Sequence, residues 1–331
     1  MLGRRTTLSL GIAVAFAPRL SLAQATDKLP SWRDGPRKRA LLEFVAAVTA
    51  AGGPGFVPPA ERVAVFDNDG TLWVEQPAYT QAVFLLDRIR ALAPSNPEWG
   101  RDPLFQAAIG GDLRAVAAGG AQGLLRLAGA AMAGNSPEEF QDVAAAWLEA
   151  ARDARWKRPY TQLVYQPMLE LLDFLRANGF ATFIVSGGGV EFVRAFSEAA
   201  YGIPRSQVIG STFALRSGER DGRLVLEREA RLDFVDDGPG KPVGIARHVG
   251  RRPIAAFGNS DGDIEMLRYA TEGSGLRLGM IVRHDDAERE YAYDSDSHVG
   301  RLARALNEAP RRGWHVASMR DDWARIFPPP R

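Results

Sequence analysis

Apolar positions along the chain fall into two patterns. Four runs are short and continuous: Arg62–Phe66 (RVAVF), Phe180–Val185 (FATFIV), Pro253–Phe257 (PIAAF) and Leu278–Val282. Runs of that kind read as strands buried on both faces. Elsewhere the apolar residues recur at helical spacing. Gly35–Ala51 sets Leu41, Leu42, Val45 and Val48 on one face, and the Gly/Pro linker Gly52–Pro59 stops it. Met168–Asn178, stopped by Gly179, is the next of these helices, and Val190–Ala200, Val243–Val249 and Ile264–Ala270 follow. Val208–Leu215 and Arg223–Glu229 are strand-like, with Asp221-Gly222 as a hairpin turn between them. From Tyr79 to Arg155 strand-like runs vanish and Ala, Leu and Glu dominate, which predicts several helices. One starts at Ser136-Pro137-Glu138-Glu139, with Ser at the N-cap, Pro at N1 and Glu at N3, and its stripe is Phe140, Val143, Trp147 and Leu148.

Short buried strands separated by helices predict an α/β fold: a doubly wound, Rossmann-like parallel sheet core. The helical stretch 76–160 is far longer than a crossover between parallel strands needs, so it is expected to form an inserted domain. The expected organisation is an N-terminal helix and linker over 26–60, the α/β core over 61–75 and 161–331, and the helical insertion between the two core segments.

Composition narrows the classes. The 331 residues are 46% hydrophobic and 24% charged, the balance of a globular protein with a sizeable core. Lys and Arg number 41 against 40 Asp and Glu, so no basic excess supports a nucleic-acid partner. The absence of cysteine excludes thiolate nucleophiles, disulfides and Cys-based metal sites. Residues 1–25 run from Arg4-Arg5 through an apolar stretch, Leu8–Ala17, to Ser21-Leu22-Ala23 and Ala23-Gln24-Ala25, the order of an export signal. The paired arginines point to the twin-arginine route, with the general secretory route as the alternative. An exported protein, periplasmic or secreted, is expected. No other stretch is apolar enough to span a membrane, so no stable membrane association is expected after cleavage. Arg37-Lys38-Arg39 and Arg311-Arg312 read as solvated faces. The histidines lack metal-ligand spacing, and His284 reads as a solvated helix start, with a place at a site rim as the alternative.

In a parallel sheet the informative residues follow the strands, because ligands bind outside the carboxyl ends. Asp67-Asn68-Asp69-Gly70-Thr71 follows the first strand, Ser186-Gly187-Gly188-Gly189 the second, and Gly258-Asn259-Ser260-Asp261-Gly262-Asp263 the third. Lys241 opens a helix shortly before the third strand. Each loop alone reads as an ordinary turn. Together they place carboxylates suited to a hard cation such as Mg²⁺ beside a hydroxyl and backbone N–H groups suited to phosphate. A lysine adds a compact positive charge. That combination is a phosphoryl-transfer site.

VFDNDGTL (Val65–Leu72), FIVSGGG (Phe183–Gly189), GPGK (Gly238–Lys241) and FGNSDGDIEML (Phe257–Leu267) resemble, in order, motifs I to IV of the haloacid dehalogenase superfamily. The resemblance covers about 61–75 and 161–285 and is nearest to the phosphoserine and phosphorylcholine phosphatase branch. It implies that Asp67 is a nucleophile forming an aspartyl phosphate, and that Asp69 protonates the leaving oxygen and then activates water. Thr71 would orient Asp67. Ser186 and Lys241 would hold the phosphoryl oxygens, with Asn68, Thr71 and Gly187 in the phosphate-binding set. Mg²⁺ would be held by Asp67, the Asp69 carbonyl and the motif IV loop. The insertion would be a C1 cap that selects the substrate.

The acid at Asp69 argues for phosphate esters over carbon–halogen bonds. One position departs from the pattern: the phosphatase branch has Asp where this chain has Asn259. Either Asn259 ligates the cation and Asp263 supports it, or Asp261 or Asp263 takes its place. Trp73, Glu75 and Tyr79 follow motif I and are expected to face the cleft, with Trp73 and Glu75 touching substrate. Trp99, Trp147, Trp156 and Tyr160 read as core of the insertion. The expected function is a Mg²⁺-dependent phosphatase for small phosphomonoesters. Phosphotransfer to an acceptor other than water, or a weakly active binding or storage protein, are the alternatives.

Overall fold

In the computed structural model, which describes residues 27–132 and 134–330, seven strands form one sheet. They are β1 (Val63–Phe66), β2 (Ala181–Gly189), β3 (Val208–Arg220), β4 (Arg223–Phe234), β5 (Ala255–Gly258), β6 (Leu278–Arg283) and β7 (His315–Ser318). Their spatial order is β4-β3-β2-β1-β5-β6-β7. All pairs are parallel except the β3–β4 hairpin. The export signal expected over 1–25 lies outside the described residues.

The strand sequences explain the layering. In β1, Val63 and Val65 join one hydrophobic cluster and Ala64 and Phe66 the other. In β5, Ala256 faces the first while Ala255 and Phe257 face the second. This period of two, apolar on both sides, requires helices on both faces. One cluster is closed by Ile245, Ile264 and Leu267 from α10 (Gly240–Val249) and α11 (Ile264–Thr271). The other receives Leu41, Val45 and Val48 of α1 (Pro36–Thr49) and Leu171, Leu172 and Leu175 of α7 (Gln166–Ala177). The N-terminal segment is therefore stitched into the core: Trp32 stacks edge-on against Trp323 at 5.8 Å and donates to the Pro167 carbonyl. Lys38, expected on a solvated face, is buried and paired with Asp27 and Asp34.

Between β1 and β2 lie α2 (Thr80–Leu92), α3 (Pro103–Gly110), α4 (Leu113–Ala118), α5 (Gly120–Met132) and α6 (Pro137–Ala150). The predicted start of α6 is a full capping box, with Ser136 and Glu139 each closing on the other's backbone. Phe84 packs edge-on against Phe140 and Trp147, and Trp147 stacks on Tyr160. The insertion also leans on the hairpin: Gly134 N donates to Arg228 O and Arg228 N to Asn135 O, both at 3.1 Å. The Arg228 guanidinium is buried over Phe140 and Phe213.

Three elements depart from the sequence expectation. The hairpin strands run longer than predicted: β4 continues to Phe234 with Ala230, Leu232 and Phe234 alternating with Arg231 and Asp233, though it is half-exposed or exposed along most of its length. The predicted helix Val190–Ala200 is two, α8 (Val190–Arg194) and α9 (Ser197–Tyr201). The break falls at Phe196, whose ring turns to stack on Trp73 at 4.3 Å. After β6 the chain adds α12 (Arg304–Arg312), β7 and α13 (Met319–Asp322), none of them predicted. No described helix is long and apolar enough to cross a membrane.

Candidate active site

The chain runs outward from β1 through β2 to β3 and β4, then returns to β5 on the other side of β1. The crevice at the carboxyl ends of β1 and β5 is thus a topological switch point, where ligands bind in sheets of this type. All three polar loops and Lys241 meet there.

The loop after β1 is a tight reversal. Asp67 N donates to Phe257 O of β5 at 2.9 Å, and the N–H groups of Thr71, Leu72 and Trp73 all point at Asn68 O. Gly70 takes φ +71°, where a side chain would be strained and would run into Asn259 and Glu75. At the end of β2 the pairing register with β3 shifts between Ser186 and Gly189, which lifts Gly187 and Gly188 out of the ladder. Ser211 Oγ donates to the freed Gly187 carbonyl at 2.8 Å and accepts from Asp236 N at 3.0 Å. Ser186 Oγ accepts from Gly188 N at 3.1 Å. Asp69 Oδ2 lies 3.9 Å from where a Cβ on Gly188 would stand, so the β1 and β2 loops face each other.

Lys241 sits under this crevice, almost without exposure. Its Nζ donates to Asp67 Oδ1 at 2.7 Å, Asp263 Oδ1 at 2.7 Å and Val185 O at 2.9 Å, which uses all three ammonium protons. Burial works against the charge, but Asp263 and Asp67 outweigh it, and the lysine pKa is raised. Burial and then Asp263 push the Asp67 carboxyl up, with Lys241 opposing them. Burial also raises Asp69, against the hydrogen bond from Trp73. An acid so raised can hold a proton to higher pH, which general-acid chemistry requires.

Several expected partners are arranged differently. Thr71 Oγ1 donates to Asn259 Oδ1 at 3.1 Å and not to Asp67. Asn68 Oδ1 accepts from the Tyr201 hydroxyl at 3.0 Å. Trp73 does not face the cleft: it is fully buried, its indole N–H on Asp69 Oδ1 at 2.8 Å. Glu75 is also buried, accepting from Asn259 Nδ2 at 2.6 Å and the Tyr293 hydroxyl at 2.7 Å, and burial pushes its pKa up to about 8. Tyr79 is partly exposed, its hydroxyl accepting from Gly300 N. Asp261 is occupied elsewhere, its Oδ1 capping α12 through Ala303 N and Ala305 N. Asp263 Oδ2 accepts from Asn259 N and from the backbone and hydroxyl of Ser260.

Other residues at the site carry no motif. Gln81, the second residue of α2, accepts from Gly189 N at 2.8 Å and so brings the insertion onto the β2 loop. Asp237 stands over Gly187 and Gly262 at the mouth. His284 is buried, not a solvated helix start, and bridges Glu290 and the Gly70 carbonyl. Gln81 is linked to the site only by a contact distant in sequence, His284 lies behind the motif I loop rather than at a solvated helix start, and Asp237, four residues before Lys241, could have been found by its place.

Among the described residues no group of three or more His, Asp or Glu side chains has metal-holding geometry. The donors on offer are mixed oxygens. Asp67 keeps one carboxylate oxygen, and Asp69 its main-chain carbonyl, without a hydrogen bond among the described residues. Asn259 Oδ1 carries one hydrogen bond and has a second lone pair. An all-oxygen set with only one or two carboxylates fits Mg²⁺, which keeps several waters.

The model of the family described as haloacid dehalogenase-like hydrolase matches residues 64–268, more than half of the chain. No curated protein matches the sequence. A conserved, functionally unknown protein from Anaerococcus prevotii DSM 20548 shares the fold at 16% identity and TM-score 0.54, over 85% of this chain and 91% of that one. A protein of unknown function from Bordetella pertussis Tohama I aligns at 17% identity over 78% and 98% of the two chains, with TM-score 0.47. A phosphoserine phosphohydrolase-like protein from Francisella tularensis subsp. tularensis SCHU S4 aligns at 16% identity over 76% and 98%, with TM-score 0.37.

Proposed function

The chain belongs to the haloacid dehalogenase-like hydrolase family, and from that premise we propose that it is an exported, Mg²⁺-dependent phosphatase of small phosphomonoesters. The observation that carries the reading is the Asp67–Lys241 pair at 2.7 Å with a second, half-buried acid, Asp69, two residues on. Lys241 turns one Asp67 oxygen inward and leaves the other for attack. That oxygen forms a bond to phosphorus as the ester P–O bond breaks, and the leaving oxygen takes the Asp69 proton. Asp69, now a carboxylate, takes a proton from water as the water oxygen attacks phosphorus, releasing phosphate and restoring Asp67. The Ser186–Gly189 loop lies against the phosphoryl oxygens, with the Gly188 and Gly189 N–H groups held by Ser186 Oγ and Gln81 Oε1 before substrate binds. Asp67, the Asp69 carbonyl and Asn259 would hold Mg²⁺, which would supply charge neutralisation at the phosphoryl group.

The helical insertion acts as the cap of this site, with Gln81 reaching the β2 loop at Gly189 N. Residues 1–25 direct the protein out of the cytoplasm. The test is phosphate release from a panel containing phosphorylcholine, phosphoserine and a chromogenic aryl phosphate. Turnover that needs Mg²⁺ is expected. A folded protein that releases phosphate from none of them contradicts the reading.

A further inference from the structure

We propose that Glu75 is a positioning residue for the cation site, holding the Asn259 amide by its nitrogen so that its oxygen is left for the cation. The inference rests on the proposed role of Asn259 as a ligand. A carboxylate at that position would offer an oxygen whichever way it turned. An amide has one oxygen end and one nitrogen end of nearly the same shape, so something must choose between them.

The surroundings of Asn259 make that choice. Its Nδ2 donates to Glu75 Oε1 at 2.6 Å, and its Oδ1 accepts from Thr71 Oγ1 at 3.1 Å. Glu75 Oε1 also accepts from the Tyr293 hydroxyl at 2.7 Å, so the carboxylate is fixed from the far side. Both residues are almost fully buried, so losing either bond would leave a buried polar group unpaired. Two glycines from separate segments keep the contact open. A Cβ on Gly70 would strike Asn259 Nδ2 and Glu75 Oε1, and a Cβ on Gly300 would overlap Glu75 Oε1. Both glycines take positive φ, +71° and +64°. The chain has thus moved the carboxylate back one layer and turned the amide with it. Partners behind a metal ligand of this kind orient it and tune its affinity.

The test is titration calorimetry of the purified protein with Mg²⁺ alone, so that no substrate is needed. Glu75→Leu removes the acceptor and should weaken Mg²⁺ binding about 10–100-fold. Glu75→Gln keeps an acceptor oxygen and should stay within about threefold of wild type. Asn259→Asp placed in the Glu75→Leu background should restore binding, because a carboxylate needs no choice of end. A purely structural role for Glu75 gives no such rescue. If Glu75→Leu does not fold, Asn259→Asp with Glu75→Gln carries the test: its reversed bond, amide of 75 to carboxylate of 259, should bind Mg²⁺ at least as tightly as wild type. Unchanged affinity in Glu75→Leu, absent rescue, or weakened binding in the reversed pair overturns the inference. Wild-type protein that binds no Mg²⁺ overturns the cation reading itself.

Discussion

The indole N–H of Trp73 donates to Asp69 Oδ1 at 2.8 Å while the same ring stacks on Phe196 at 4.3 Å. A residue four positions downstream in one loop therefore fixes the orientation of the proposed general acid. It also restrains its proton affinity, since burial raises the Asp69 carboxyl and this bond lowers it.

Trp73→Phe keeps the stack and removes the donor. The Asp69 pKa should rise, so the protonated acid survives to higher pH and the alkaline limb of kcat/KM moves up. A hydrogen bond of about 0.5–1.5 kcal/mol corresponds to roughly half to one pH unit. A pH–rate profile checks this, and a limb that stays or moves down contradicts it.

Asp236, behind the β2 loop, offers a stability measurement. It is fully buried, neither carboxyl oxygen has a hydrogen-bond partner among the described residues, and burial pushes its pKa up to about 7. A raised carboxyl stabilises the fold below its unfolded pKa, near 3.8, and that contribution is lost as pH rises through about 7. Between pH 5 and 8 the loss is on the order of 2–3 kcal/mol. Urea unfolding of wild type and Asp236→Asn at both pH values should show the variant free of that decline. Parallel slopes in the two proteins would refute it.

His284 joins the back of the site to the motif I loop. Nδ1 lies 3.1 Å from Glu290 Oε2, Nε2 lies 2.7 Å from Gly70 O, and the ring stacks on Tyr293. Two acceptors require two donors, so the imidazolium form fits. Burial opposes that charge, but Glu290 prevails and the pKa is raised. His284→Phe strands a buried carboxylate and should cost about 3–5 kcal/mol. The wild-type contribution is complete below the unfolded pKa near 6.5 and fades as pH rises through the higher folded value. The deficit of the variant should therefore shrink at alkaline pH. A melting temperature unchanged by the substitution at pH 6 would rule this out.

What could be read from the sequence was what is local. Asp67, Asp69 and Ser186 follow directly from buried strands, and Lys241 from the Gly-Pro-Gly turn before it. The partner of that lysine, Asp263, was read as support for a cation, because their contact crosses two loops. Asp261 looks like a ligand only while α12 goes unrecognised: Ala305, Leu306 and Ala309 do fall at helical spacing, but the stretch is short, mostly polar and carries Pro310. His284, Glu290 and Tyr293 lie in a segment with no repeating pattern after β6, and nothing short-range links them to Gly70 or Glu75. Trp73 and Glu75 were placed at the cleft by proximity to motif I, but the reversal at Gly70 turns both inward.

The most direct measurement is the rate of phosphate release by wild type and Asp67→Asn on the best ester of the panel, each with Mg²⁺ and with chelator. Nucleophilic attack by Asp67 predicts activity only in wild type with Mg²⁺, with the variant at least about 10³-fold slower and still folded. Comparable rates in the two proteins would contradict the account.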